Sequence, residues 1–282
     1  MTHDDEEPDG REPPGHLTTT AASRRTLALS GALVVACVTT MVALRLTDTA
    51  PDIRLLSWWS IAPLAIAAQL MVFDVEFRRE TYTFTFSEIP LVLGLFFTSP
   101  LNLVFGRIVG ELLFLSVRER QAPRKMALNL SSFLAETTML LAVHQWLGGA
   151  TDVTRPSNWL IALVSVTAAD VVGYIVVYRV VRWHGAPITF WSILGIGGLT
   201  IPANTSFALV IGILLVERPW ATLLLSGVGA FLVVSYRSYT ALRQRYESLS
   251  LLYDFTRLVS GAQRPDTVLE SILTEAKDLL RA

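Results

Sequence analysis

Four ionisable side chains stand inside stretches of this 282-residue chain that are otherwise apolar. Arg107 and Glu111 lie in LNLVFGRIVGELL, Glu136 in SSFLAETTMLLAV and Asp170 in VSVTAADVVGY. An ionised group near the centre of a bilayer costs ~3 kcal/mol or more, so each should face protein, paired or protonated. Arg107 precedes Glu111 by one helical turn and can pair with one of the acids. Three acids against one base leave a deficit of positive charge. Two chemistries fit that deficit. One is a polar pocket that takes a proton, a cation or a cationic head group. The other is adhesion between helices, with protonated carboxyls hydrogen-bonded to Asn, Thr or Ser on neighbours. Asn204 and Thr205 come after Pro202 and are placed to line the same cavity, because unwound backbone inside a bilayer must be satisfied by protein or water. Glu88 is read differently. With Ser87 it suits the start of a helix, where a carboxylate is favoured, and its expected role is structural capping.

Nothing else in the chain has the spacing of a reactive site. His3, His16, His144 and His184 are scattered without metal-ligand spacing, and Gly197-Gly198 lies in an apolar run rather than after a strand. No Ser or Cys nucleophile has a base nearby in sequence. The reading is a non-enzymatic segment with no cofactor and no metal. Cys37 is the single cysteine, which excludes an internal disulfide framework.

The elements that must position these residues are apolar and long. Hydrophobic residues make up 52% of the chain and charged residues 17%, with mean hydropathy +0.48, which places it among multi-pass membrane proteins. The expected fold class is all-α, a polytopic transmembrane helical bundle. It has about eight segments in order: 27–46, 55–73, a short helical hairpin of 88–98 and 101–117 turning at Thr98-Ser99-Pro100, then 126–147, 159–181, 188–216 and 220–236. Residues 88–98 are too short for a full crossing, so they form either a tilted span or a re-entrant half-helix. The alternation of polar and aromatic residues over 81–87 suggests an extended segment leading into it. Gly197-Gly198 and Pro202 predict a kinked or broken helix over 188–216.

Basic residues gather at helix ends. Counted along this path, twelve Arg or Lys fall at one set of ends (24, 25, 78, 79, 118, 120, 124, 125, 179, 182, 237 and 243) and four at the other (45, 54, 155 and 218). The richer side is expected to be cytoplasmic, which puts both termini there, in a cell inner membrane. This distribution sets topology and does not point to nucleic acid. Trp58, Trp59, Trp159, Trp191 and Trp220 sit near span ends as interfacial anchors.

The chain divides into four regions. Residues 1–23 are an acidic, Pro- and Gly-rich tail expected to be disordered. Residues 24–236 are the membrane domain. Residues 237–262 continue as a cytoplasmic helix whose Tyr239, Leu242, Tyr246, Leu249 and Tyr253 step by 3, 4, 3 and 4, a heptad seam suited to a homodimer. Residues 263–282 begin a further domain, with Pro265-Asp266 suited to a helix start.

The hairpin TFTFSEIPLVLGLFFTSPLNLVFGRIVGELL, with the basic RERQAPRKMALNLSSFLAE after it, resembles the multi-pass sensor region of actinobacterial membrane signalling proteins. In those proteins the region precedes GAF, GGDEF and often EAL domains. The stretch YESLSLLYDFTRLVSGAQRPDTVLESILTEAKDLLRA is similar to the opening helices of a GAF domain. The resemblance implies an input module that regulates cyclic di-GMP synthesis or breakdown, but neither a GGDEF nor an EAL motif occurs in this chain. The partners expected are the lipid bilayer, a second copy through the exit helix, and a small ligand or cation. The alternatives are a transporter or substrate-capture protein, and the input region of a sensor histidine kinase.

Overall fold

Hydrocarbon offers the backbone no hydrogen-bond partners, so apolar runs of spanning length close their bonds internally as helices. The computed structural model describes residues 15–44, 56–71, 73–77, 80–84, 86–185 and 190–231, with isolated positions between 234 and 253. In chain order these give α1 (Gly15–Ala43), α2 (Trp58–Leu70), a hairpin of β1 (Phe73–Phe77) and β2 (Glu80–Phe84), then α3 (Glu88–Phe97). Next come α4 (Pro100–Leu113), α5 (Pro123–Trp146), α6 (Pro156–Trp183), α7 (Phe190–Glu217) and α8 (Ala221–Phe231). Five stretches are long and apolar enough to cross a membrane: Arg24–Ala43, Pro100–Arg118, Pro123–Trp146, Pro156–Trp183 and Thr200–Glu217. Helices α2, α3 and α8 are apolar but shorter. Large apolar side chains point outward, among them Val35 and Val38 on α1, Phe105 and Leu113 on α4 and Leu160 on α6. That surface suits lipid and not water. The chain is thus a multi-pass helical membrane protein, and α1 to α7 belong to a compact unit of residues 1–222.

The expected turn at Thr98-Ser99-Pro100 is present. Thr98 is extended and closes α3, while Ser99 is the N-cap of α4 and accepts the Asn102 N–H through its hydroxyl. Pro100 takes the first helical position, where its missing N–H costs nothing. Of α3 only Ile89 is not buried, and its ten residues extend about 15 Å, half the ~30 Å hydrocarbon core. It is therefore the protein-enclosed half-helix rather than a tilted span. Its partner α2 is also short, ending at Leu70 where the apolar run continues to residue 73. Between them β1 and β2 pair antiparallel, with Phe73 opposite Phe84 and Phe77 opposite Glu80. The alternation expected as an extended segment is thus one strand of a hairpin, and β2 contacts α7. Among the described residues this hairpin is the sole non-helical regular structure.

Helices α2 and α4 run parallel and touch backbone to backbone. The run Gly106-Arg-Ile-Val-Gly110 puts two glycines on one face of α4, a small-x-x-x-small pattern. A Cβ on Gly106 would lie 2.7 Å from the Trp58 carbonyl oxygen, and one on Gly110 would lie 2.6 Å from that of Ala62. The Leu56 N–H donates to the Phe97 carbonyl at 3.2 Å, fixing the top of α2 against the end of α3. At this same end Gln145 Nε2 donates to the Leu44 carbonyl, while Val153 and Phe97 flank Gly212. The Asp152 carboxyl there is held below its usual range by the hydroxyl and amide of Thr154, which close the loop before α6.

Two expectations are corrected. Helix α1 begins at Gly15, inside the stretch read as a disordered tail. Of the kinked and broken alternatives for α7 only the break is overturned: the helix continues through Pro202, so Asn204 and Thr205 lie on helix and not on unwound chain. A proline removes one N–H, and packed neighbours in a bundle make that loss tolerable. Residues 1–14, Arg78-Arg79, the side chain of Trp191 and residues 254–282 lie outside the described residues, as does most of 232–252.

The backbone contact gives a stability prediction. Gly110→Ala should destabilise the folded protein in detergent by about 2 kcal/mol, because backbone on α2 must move to admit the methyl. Gly31→Ala, where a Cβ would meet nothing within 4 Å, should be neutral or slightly stabilising. Thermal unfolding of the two variants measures the difference.

Candidate functional site: a buried acid-rich cluster

Helix α4 carries Arg107 about 10 Å below its first residue, and α5 carries Glu136 about 15 Å from its last. The antiparallel hairpin of these two helices brings both to mid-height, where Arg107 Nη2 and Glu136 Oε2 meet at 2.7 Å. Arg107 is only 3% exposed. Its second amine, Nη1, donates to Thr137 Oγ1 at 3.2 Å, and that hydroxyl in turn donates a hydrogen bond to the Phe133 carbonyl at 2.7 Å. The guanidinium also lies over the Phe133 ring at 5.2 Å, one turn before Thr137. One side of α5 therefore supplies the anion, the hydroxyl and the ring that replace water around Arg107. The intrahelical partner Glu111 is not the one it uses.

Glu111, 2% exposed, is instead bridged by Gln69 of α2, whose Nε2 donates to both carboxyl oxygens at 3.0 and 3.1 Å. This contact arises from the parallel α2–α4 packing, since Gly110 beside Glu111 lets α2 approach. Glu136 has a further contact. Its other oxygen accepts from Ser132 at 3.5 Å, and a methyl on Gly173 of α6 would collide with it. Glycine at 173 thus admits the carboxylate between α5 and α6.

Asp170 lies one turn before Gly173 on α6, about 21 Å from the start of the helix. It lies within electrostatic reach of Glu88, Glu136 and Arg107, and its buried Oδ2 has no hydrogen-bond partner. Tyr174 next along faces the same carboxyls. Asn204 of α7 donates to Glu88 Oε2 at 2.7 Å. The Thr205 hydroxyl is fully enclosed without a hydrogen-bond partner. Among the described residues no three His, Cys, Asp or Glu side chains are placed to hold a metal ion.

The structure thus joins most of the residues singled out from sequence and enlarges the set. Arg107, Glu111, Glu136, Asp170 and Asn204 all lie in one mid-height band that crosses α4 to α7. Glu88 belongs to it as well. It does occupy the first turn of α3, as a cap would, but it is 5% exposed, bonded to Asn204 and in reach of Arg107. Ser87 makes no capping side-chain hydrogen bond. The half-length of α3 explains this, because its N-terminus falls inside the bundle and not at the membrane surface. Gln69, Gly173 and Tyr174 join the band without having stood out in the sequence. A lone glutamine near the end of an apolar run is the available signal for the first, and the glycine gives none.

No protein-family model, no curated protein and no solved structure matches this chain. Fold and site together define its class: a polytopic helical membrane protein with an acid-rich polar band at mid-height. Among the described side chains, four carboxyl groups share it with one guanidinium.

Removing one member of the ion pair tests how the band is held. Arg107→Met leaves Glu136 without its counter-charge and should cost about 3 kcal/mol of stability. The double variant Arg107→Met, Glu136→Met should recover most of that loss, since neither member of the pair is then left buried without the other. Denaturation in detergent across the double-mutant cycle reads the coupling.

Proposed function

We propose that this chain is the membrane-embedded input module of a signalling protein, with a proton or small cation as the ligand of its acid-rich band. The carrying observation is the charge imbalance. Among the described side chains, Glu88, Glu111, Glu136 and Asp170 face Arg107 alone, and Asp170 has a buried oxygen with nothing bonded to it. Three uncompensated carboxylates in hydrocarbon would cost far more than the bundle can tolerate, so the band holds protons or a cation. Ligand loss is coupled to structure because the acids touch different helices. Glu88 ties α3 to α7 through Asn204, and Glu111 ties α4 to α2 through Gln69.

The readout in this proposal is the helix that leaves the membrane after α8. Tyr239, Leu242, Tyr246, Leu249 and Tyr253 are helical and exposed, as a seam awaiting a second copy would be. The resemblance of the membrane region and of 246–282 to actinobacterial GAF–GGDEF proteins supports cyclic di-GMP as the output. The basic-rich ends support cytoplasmic termini, with eight membrane segments. A transporter is the second reading, favoured by the paired half-helices α2 and α3 with their polar ends at mid-height.

Infrared difference spectroscopy across a pH titration of the purified protein tests the ligand. Protonated carboxyl bands should appear and disappear with pH, and Asp170→Asn should remove one of them without loss of folding. A spectrum without such bands, or one unchanged in Asp170→Asn, would leave the acids as adhesive between helices. Transmission has a separate test in the intact protein. Two residues inserted after Arg243 rotate the downstream chain by about 200° and should disrupt cyclic di-GMP output, while seven should largely restore it. Equal tolerance of both would mean a flexible tether, and proton-driven solute uptake would favour the transporter.

A further inference from the structure

Among the described side chains, charge is distributed unequally between the two ends of the α1–α7 bundle. One end gathers the start of α1, the turn from α4 to α5 and the end of α6. Its exposed cations include Arg118, Arg120, Lys125, Arg179 and Arg182, against Glu119 as the one exposed carboxylate among the described side chains there. At the opposite end Arg155 pairs with Asp152 at 2.9 Å, and Arg218 stands next to exposed Glu217.

Folding accounts for only part of this asymmetry. Arg118 and Arg182 stand in the last turns of their helical segments, where the carbonyl end favours cations. Lys125 stands in the first turn of α5, whose N-cap Ala122 offers no side-chain bond and whose positive end disfavours it. Arg120 is held at φ 48°, a region uncommon for a residue with a Cβ. The turn carrying it is clamped. The last turn of α4 widens into a π-helical turn, Phe114–Arg118, and the Glu119 N–H donates to the Phe114 carbonyl at 3.2 Å. The Gln121 N–H donates to the Leu115 carbonyl at 3.1 Å, and Asn129 Nδ2 holds Gln121 Oε1 at 2.8 Å. The ridge adjoins a lipid-facing strip, for Leu113 is 47% and Val117 71% exposed just above it.

We propose that the ridge over 118–125 is a binding site for the headgroups of anionic lipids, whose acyl chains run along Leu113 and Val117. A shaped row of cations against the local helix electrostatics, directly below an apolar strip, matches a phosphate attached to hydrocarbon. A soluble phosphate offers the same anion but leaves the strip unused. The site lies apart from the acid-rich band and does not depend on what that band binds.

The test uses the purified chain reconstituted in phosphatidylcholine vesicles doped with spin-labelled phosphatidylglycerol or spin-labelled phosphatidylcholine. The immobilised fraction reports selectivity. Wild type should prefer phosphatidylglycerol severalfold at low salt and lose that preference at high salt. Each of Arg118→Gln, Arg120→Gln and Lys125→Gln should weaken association by about fivefold, and the triple glutamine variant that combines them should lose the preference. Arg155→Gln with Arg218→Gln, at the other end, should change nothing. Arg118→Lys with Arg120→Lys keeps the charge and should keep the preference, which separates lost charge from lost fold. Equal retention of the two lipids by wild type would overturn the proposal. So would an unchanged preference in the triple glutamine variant, equal loss in the opposite-end variant, or displacement of the lipid by inorganic phosphate.

Discussion

A guanidinium inside hydrocarbon must bring its own surroundings, and Arg107 organises much of this bundle by that requirement. Its partner Glu136 is on α5, its second acceptor Thr137 is beside it, and Phe133 lies one turn away beneath the charged plane. These three positions fix how far along α4 and how far around it α5 can pack. Glu136 is then committed, and α6 meets it with a glycine at 173 because a side chain there would displace the carboxylate. Apolar side chains gain nothing by leaving lipid for one another, so helix association in a membrane rests on close packing and polar contacts of this kind. The pairs Gln69–Glu111 and Asn204–Glu88 extend the same logic to α2, α3 and α7.

Close packing supplies the complementary half. Gly106 and Gly110 let the carbonyls of α2 approach α4 to a distance that any Cβ would forbid. That contact seats α2 although it is too short to span. Helix α3 is equally short and is enclosed almost completely by protein. Backbone that turns back inside a bilayer is tolerated only where protein covers it, and the α2–hairpin–α3 excursion obeys that condition through α4 and α7. A consequence is that the N-terminus of α3 opens at mid-height, which makes Glu88, still in the first turn of α3, a member of the polar band as well.

The two ends of the bundle and its middle therefore differ electrostatically. The middle carries more acid than base, and one end carries exposed cations with a single exposed acid among the described side chains. Cations at a boundary are hydrated and inexpensive, whereas carboxylates at mid-height are not. A bundle that keeps unbalanced acids on several packed helices has its geometry coupled to whatever neutralises them.

Composition and periodicity by themselves determined the membrane class, the order of the apolar segments, the turn at Thr98-Ser99-Pro100 and the identity of the intramembrane acids. Each rests on local physics: an apolar run must be helical in lipid, Ser before Pro starts a helix, and a charge in hydrocarbon must face protein. Which acid takes Arg107 was decided by tertiary structure, because the i,i+4 neighbour Glu111 and the distant Glu136 are equally legible one-dimensionally. The same holds for the continuity of α7 through Pro202, where neighbouring helices outweigh one lost hydrogen bond. Glu88 keeps its place in the first turn of α3 and gains a second role for a similar reason. Its place at a helix start was visible in the sequence, but the depth of that start depends on how far α2 and the hairpin carry the chain into the bundle. Depth is a property of the assembled helices and not of any one segment.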